Sequence, residues 1–101
     1  MLNQTVWHFP KGVPAVNPCF DGHFPGDPIV PGAYLLALAE RRLAASGWRI
    51  TGARRIKFLS PLRPDQAFQI EANAGRSGTV LRWVRDDVKI AEASVTLRAL
   101  E

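Results

Sequence analysis

Six of the chain's eight prolines and four of its eight glycines lie between Pro10 and Gly32. Proline fixes φ and removes an amide donor, whereas glycine opens backbone angles closed to other residues. Nearly a quarter of the chain, built this way, cannot hold long regular elements. It must run as a backbone set in specific turns. Short strands fit only at Thr5 to Phe9 and Ala15 to Phe20.

The remainder divides cleanly. Pro31-Gly32 opens a helical segment that runs to about Ser46, and proline is tolerated there because the first amides of a helix have no helical partner. Gly47 supplies the stop. Ala33 to Ala39 is apolar on every face, which predicts a helix buried on all sides. Polarity returns at Glu40, Arg41 and Arg42. Strands follow: Trp48 to Phe58, a turn from Ser60-Pro61 to Asp65, Ala67 to Ala74, Thr79 to Val84, a tight Asp86-Asp87 turn, and Val88 to Leu100. Phe68, Ile70 and Ala72 alternate with Gln69 and Glu71, so one face of that strand is apolar. One early helix and an antiparallel meander define an α+β domain, a sheet curled around one helix, spanning residues 1–101. Its edge strands would be covered by dimerisation.

At 101 residues, 47% hydrophobic and 22% charged, the chain can bury a core without disulfides or metal, and disorder is excluded. Cys19 is alone, so neither an internal disulfide nor a cysteine metal site can form. Residues 1–6 lack the character of a signal peptide, and no apolar run approaches the roughly 20 residues of a membrane span. A cytoplasmic protein is expected. The net charge of +4 is that of a solvated surface that happens to be basic, or of one that meets an acidic partner: nucleic acid, a membrane surface, a phosphorylated substrate or an acidic carrier protein. The basic residues are dispersed, without a block of like charge or interleaved aromatics, which argues against nucleic acid. Nothing calls for a metal or an organic cofactor.

The segment His23-Phe24-Pro25-Gly26-Asp27-Pro28-Ile29-Val30-Pro31-Gly32, preceded by Phe20-Asp21-Gly22, resembles the signature of the beta-hydroxyacyl-acyl-carrier-protein dehydratases of fatty acid synthesis. That pattern runs His-Phe-Pro-Gly-x-Pro, two apolar residues, then Pro-Gly at the start of a helix. Arg54 to Phe58, Pro61, Arg63-Pro64-Asp65 and Val88 to Ala93 extend the resemblance over roughly residues 16 to 100. The chain is most similar to the compact dehydratase-like proteins of secondary pathways, including those of aryl polyene pigments. The resemblance implies a hotdog fold, a homodimer or a heterodimer with a related subunit, sites shared across the dimer interface, and an acyl carrier protein as the acidic partner.

Dehydration of a 3-hydroxyacyl thioester needs a base at C2, an acid at the C3 hydroxyl, and a donor where enolate charge develops on the thioester oxygen. His23 is the candidate base, because imidazole titrates near neutrality. By resemblance the Gly32 amide, at the positive end of the helix, binds the thioester oxygen. His8, in a Trp-His-Phe stretch without a motif, reads as an ordinary strand histidine. The family places its acid, Glu or Asp, fourteen residues after the histidine. Here that position is Ala37, which has no proton to give. Glu40 lies three residues on, nearly on the same helix face, with side chains leaning back towards the N-terminus. It is the candidate replacement acid, or else a solvent-exposed glutamate beside Arg41 and Arg42. A partner subunit could instead supply the carboxylate. Tyr34, Leu35, Leu36 and Leu38 are candidates for an acyl tunnel or for core. A hotdog thioesterase, and an acyl-binding subunit without catalysis of its own, stay open beside the dehydratase.

Overall fold

The computed structural model describes residues 3–21 and 26–100. Five strands, β1 (Gln4–Phe9), β2 (Trp48–Phe58), β3 (Phe68–Gly75), β4 (Gly78–Arg85) and β5 (Val88–Ala99), form one antiparallel sheet in the order β1-β3-β4-β5-β2. One α-helix, α1 (Gly32–Ala45), packs on one face of it. No helix among the described residues is long and apolar enough to cross a membrane.

Alternation builds the sheet. Phe68, Ile70 and Ala72 of β3, Leu81 and Trp83 of β4, and Ala91, Ala93 and Val95 of β5 are buried against the helix. Asp86 and Asp87 both adopt positive φ, as a two-residue hairpin turn requires, and Asp tolerates it better than most residues. One irregularity matters for the site. Trp83 faces Ala91 but Val84 faces Lys89, so Ile90 is an extra residue in β5, and Ile90 and Ala91 are both buried. The Ile90 carbonyl accepts hydrogen bonds from the Leu59 and Ser60 amides at 2.8 and 3.2 Å. The bulge thus fixes the chain as it leaves β2.

The helix starts on Pro31, whose extended backbone supplies the first acceptor, and stops at Gly47, whose φ of 89° closes the last turn onto Ala44. Its burial corrects the expectation of a helix buried all round. Only Leu35, Ala39 and Leu43, four residues apart, are buried. Ala33 is exposed, and Tyr34, Leu36, Ala37 and Leu38 are half-buried. The physical reason is geometric: a single sheet covers one side of a helix, and no second layer among the described residues covers the other.

A second correction concerns residues 15–20. No strand forms there; Pro18–Phe20 is a 3-10 turn. Asn17 caps it, its Oδ1 accepting the Cys19 amide at 2.8 Å, with Pro18 in the first position. Asn followed by Pro is a helical start signal, and it outweighs the apolar content that suggested a strand.

Candidate active site

The site is assembled at the N-terminal end of α1, where three pieces of chain are pinned together. The Val30 amide donates to the Leu62 carbonyl at 2.8 Å, joining the residues before the helix to those after β2. Arg63 grips Asp27 through two hydrogen bonds, Nε to Oδ1 at 2.9 Å and Nη2 to Oδ2 at 3.3 Å. This fork geometry fixes direction as well as distance. The Arg63 guanidinium holds the Asp27 carboxyl below its usual range, through the hydrogen bond first and then the charge. The third piece is the capped turn: Asn17 Nδ2 donates to the Tyr34 hydroxyl at 2.9 Å, tying residues 17–21 to the helix.

Between these pieces lies a pocket of about 330 Å³. Ile29 to Gly32 and Leu35 form one wall and Phe58 to Leu62 the other. Among the described residues, every lining side chain apart from Ser60 is apolar or absent, so this lining suits an aliphatic group. Gly32 sits where the Phe58 ring lies on the helix start. A Cβ there would come within 2.3 Å of that ring, so with any other residue the Phe58 side chain would have to swing away from the helix start. Pro31 caps the helix without a side-chain hydrogen bond, and the first amides of a helix have no carbonyl a turn earlier to bond. A partial negative charge on a bound ligand would meet the positive end of the helix there.

The sequence-derived candidates fare differently. Gly32 lines the pocket. His23 lies outside the described residues, together with Gly22, Phe24 and Pro25. Glu40 is exposed and makes no ion pair among the described residues. It does not line the Gly32 pocket: eight residues separate them along α1, about 12 Å of rise. Ala33, Ala37, Glu40 and Ala44 succeed one another on the side of α1 turned away from the sheet. Glu40 and Ala37 do share a face, as expected, but it is the open one. Of the tunnel candidates, Leu35 is buried and lines the pocket, whereas Tyr34, Leu36 and Leu38 are half-buried outside it. His8 is exposed on β1, the edge strand opposite β2, and is remote from this pocket. Burial, with the nearby Asp21 charge, pushes the Cys19 thiol up and keeps it protonated, which disfavours thiolate chemistry.

Sequence reasoning missed Phe58, Leu62, Asn17 and the Asp27–Arg63 pair. The Asn17-Pro18 cap carried a local signal that could have been used. The other partners are some 26 to 36 residues apart in sequence, and nothing in either segment alone announces them.

One helix held in a curled antiparallel sheet, with a pocket at the helix start, is the hotdog architecture. The structure of "The Dehydratase Heterocomplex ApeI:P from Xenorhabdus doucetiae" superposes with a TM-score of 0.79 at 20% identity, over 94% of this chain and 87% of that one. An uncharacterised protein from Erwinia carotovora subsp. atroseptica superposes at 0.74 with 22% identity, over 95% and 83%. The model of the ApeI-like dehydratase family matches residues 3–94, and the chain belongs to that family. Among curated proteins it is similar to the 3-hydroxyacyl-acyl-carrier-protein dehydratase FabZ of Haemophilus influenzae (strain PittEE), 55% identical over 71 residues, covering 59% of this chain and 48% of that protein. It is also similar to the FabZ of Thermomicrobium roseum, 32% identical over 76 residues, covering 65% and 51%. The chain spans about half the length of these curated relatives.

Proposed function

We propose that the chain converts (3R)-hydroxyacyl thioesters on an acyl carrier protein to trans-2-enoyl thioesters, in fatty acid or polyketide-type biosynthesis. The observation that carries this reading is the apolar pocket at the start of α1, closed by Phe58 over Gly32. It would hold the acyl chain beside outward-facing helical amides. His23 takes the proton from C2. The Gly32 amide stabilises the charge that develops on the thioester oxygen. The C2 electron pair forms the new double bond as the C3–O bond breaks, and the departing hydroxyl leaves as water with a proton from an acid. No cofactor takes part.

Glu40 is the acid in this proposal, and its place on the open side of α1 gives it a particular route. Being about 12 Å along the helix from its own Gly32, it acts on the pocket of a neighbouring subunit. A second copy of the chain or a related hotdog subunit would pair along the bare edge of β2. A second reading, that the acid belongs to a related subunit, is favoured by Ala37 on the same open face and by the heterocomplex of the Xenorhabdus dehydratase. Enoyl thioester formation by the purified chain, alone and mixed with related subunits, separates the two. Glu40→Gln should lower turnover by about 100-fold or more if it is the acid. Unchanged turnover in Glu40→Gln would remove Glu40 and leave the partner as the source.

A further inference from the structure

The face of the sheet turned away from α1 carries two different charge patterns. Near the pocket end, Glu71, Arg82, Glu92 and Lys57 follow one another across β3, β4, β5 and β2, alternating in sign. Arg82 Nε lies 3.0 Å and Lys89 Nζ 3.7 Å from the Glu92 carboxylate. The next row on this face is Asn73, Val80, Ser94 and Arg54, with no acid in it. Opposite-sign neighbours stabilise such a face, and like charges brought together destabilise it.

At this row β2 is bulged. Arg54 faces Ser94 and Lys57 faces Glu92, three residues against two, with Arg55 at a φ of 54°. Successive residues of a regular strand point to opposite faces. The bulge cancels that alternation, so Arg54 and Arg55 both line one pocket of about 310 Å³. Arg76, from the turn between β3 and β4, lines it too, with Asn73, Ser77 and Ser94. A left-handed backbone is costly for an arginine, and such outliers collect at functional sites. Among the described residues none of the three arginines is within ion-pair distance of a carboxylate.

We propose that Arg54, Arg55 and Arg76 form a binding site for the phosphate group of a phosphate ester. Guanidinium forks match phosphate oxygens two at a time, and the Ser77 and Ser94 hydroxyls and the Asn73 amide add short donors. The pocket has room for a phosphoryl group and the start of its ester, and its concavity suits a compact dianion better than a flat acidic surface. The site shares no residue with the Gly32 pocket. Arg54 lies four residues before Phe58 on β2, about 13 Å along the strand. The phosphate comes either from a small soluble ester or from the phosphopantetheine arm of a carrier protein; only the second source rests on the dehydratase reading.

The test is calorimetric titration of the assembled protein, which needs no turnover and so fails or succeeds independently of catalysis. The titrants are inorganic phosphate, ADP, and an acyl carrier protein with and without its phosphopantetheine arm. Arg54→Gln and Arg76→Gln should each weaken binding roughly tenfold, about 1.4 kcal/mol. Arg98→Gln, on the same face but lining another pocket, should leave it unchanged. Saturable binding of phosphate or ADP with this pattern supports the site and a soluble ester. The same pattern for the armed carrier alone supports the site and assigns the carrier. No saturable binding overturns the proposal. So does equal weakening by Arg98→Gln, or equal binding of the carrier lacking its arm, since either shows diffuse attraction to acidic surface.

Discussion

The inner strands and β2 belong to one sheet, yet they are built to opposite specifications. At the centre of β3, β4 and β5 the inward-facing residues are sealed off: Ile70, Leu81 and Ala93 have no exposed surface and Trp83 is 1% exposed. The Trp83 indole also donates to the Leu35 carbonyl at 3.0 Å, so the largest core side chain is satisfied as well as buried. β2 is as long as its neighbour β5 to within one residue, but none of its residues is buried. Phe58 at its end is 59% exposed, and Ile56 and Leu59 are also exposed. Three strands and one stripe of α1 therefore hold the chain together. β2 and the open side of the helix carry apolar surface that folding alone does not use. In this molecule the buried core lies towards the sheet centre, reaching the candidate pocket through Val30, Leu35 and Leu62, and the exposed apolar surface lies along one edge.

Two aromatic substitutions test that separation most sharply. Trp83→Ala should destabilise the chain by about 3–5 kcal/mol, measured by denaturant unfolding, because it empties the centre of the core. Asn17→Ala should cost about 1 kcal/mol by losing a cap, and should also disturb catalysis because Asn17 joins the capped turn to Tyr34. Phe58→Ala should change unfolding of the isolated chain by less than about 0.5 kcal/mol, while altering acyl binding and subunit association. A loss from Phe58→Ala as large as from Trp83→Ala would erase the distinction between the two regions.

The smallest effect is electrostatic. The Asp27 carboxyl is held below its usual range by Arg63, so its contribution to stability is present above the ordinary carboxylate pKa. It is lost as pH falls through the lowered folded value. Both side chains are exposed, so the change is small, and Asp27→Asn should remove it from the acid limb of the stability curve.

Much of the architecture was legible because local rules decide it. Gly47 ends α1, the Asp86-Asp87 turn joins β4 to β5, and the alternation at Phe68, Ile70 and Ala72 selects the inner face. The errors arose where local rules are silent. An apolar stretch such as Ala33 to Ala39 says how much surface wants cover, and says nothing of whether the same chain supplies it. In residues 15–20 the Asn17-Pro18 cap outweighs an apolar content that by itself suits a strand. The place of Gly32 at the helix start is legible beside Pro31, whereas its contact with Phe58, 26 residues away, is not. That Glu40 shares a face with Ala37 follows from helical spacing, but which side of the helix that face meets depends on the packing of the whole sheet. The bulge at Arg55 has no sequence signature, since arginine is not a residue that invites positive φ.

The most direct measurement is formation of a 2-enoyl thioester from a carrier-bound 3-hydroxyacyl substrate, comparing the unmodified protein with His23→Ala. The expected result is turnover that falls by about 100-fold to 10,000-fold in His23→Ala while the melting curve is retained. Equal turnover by the two proteins would contradict the assignment of His23 as the base.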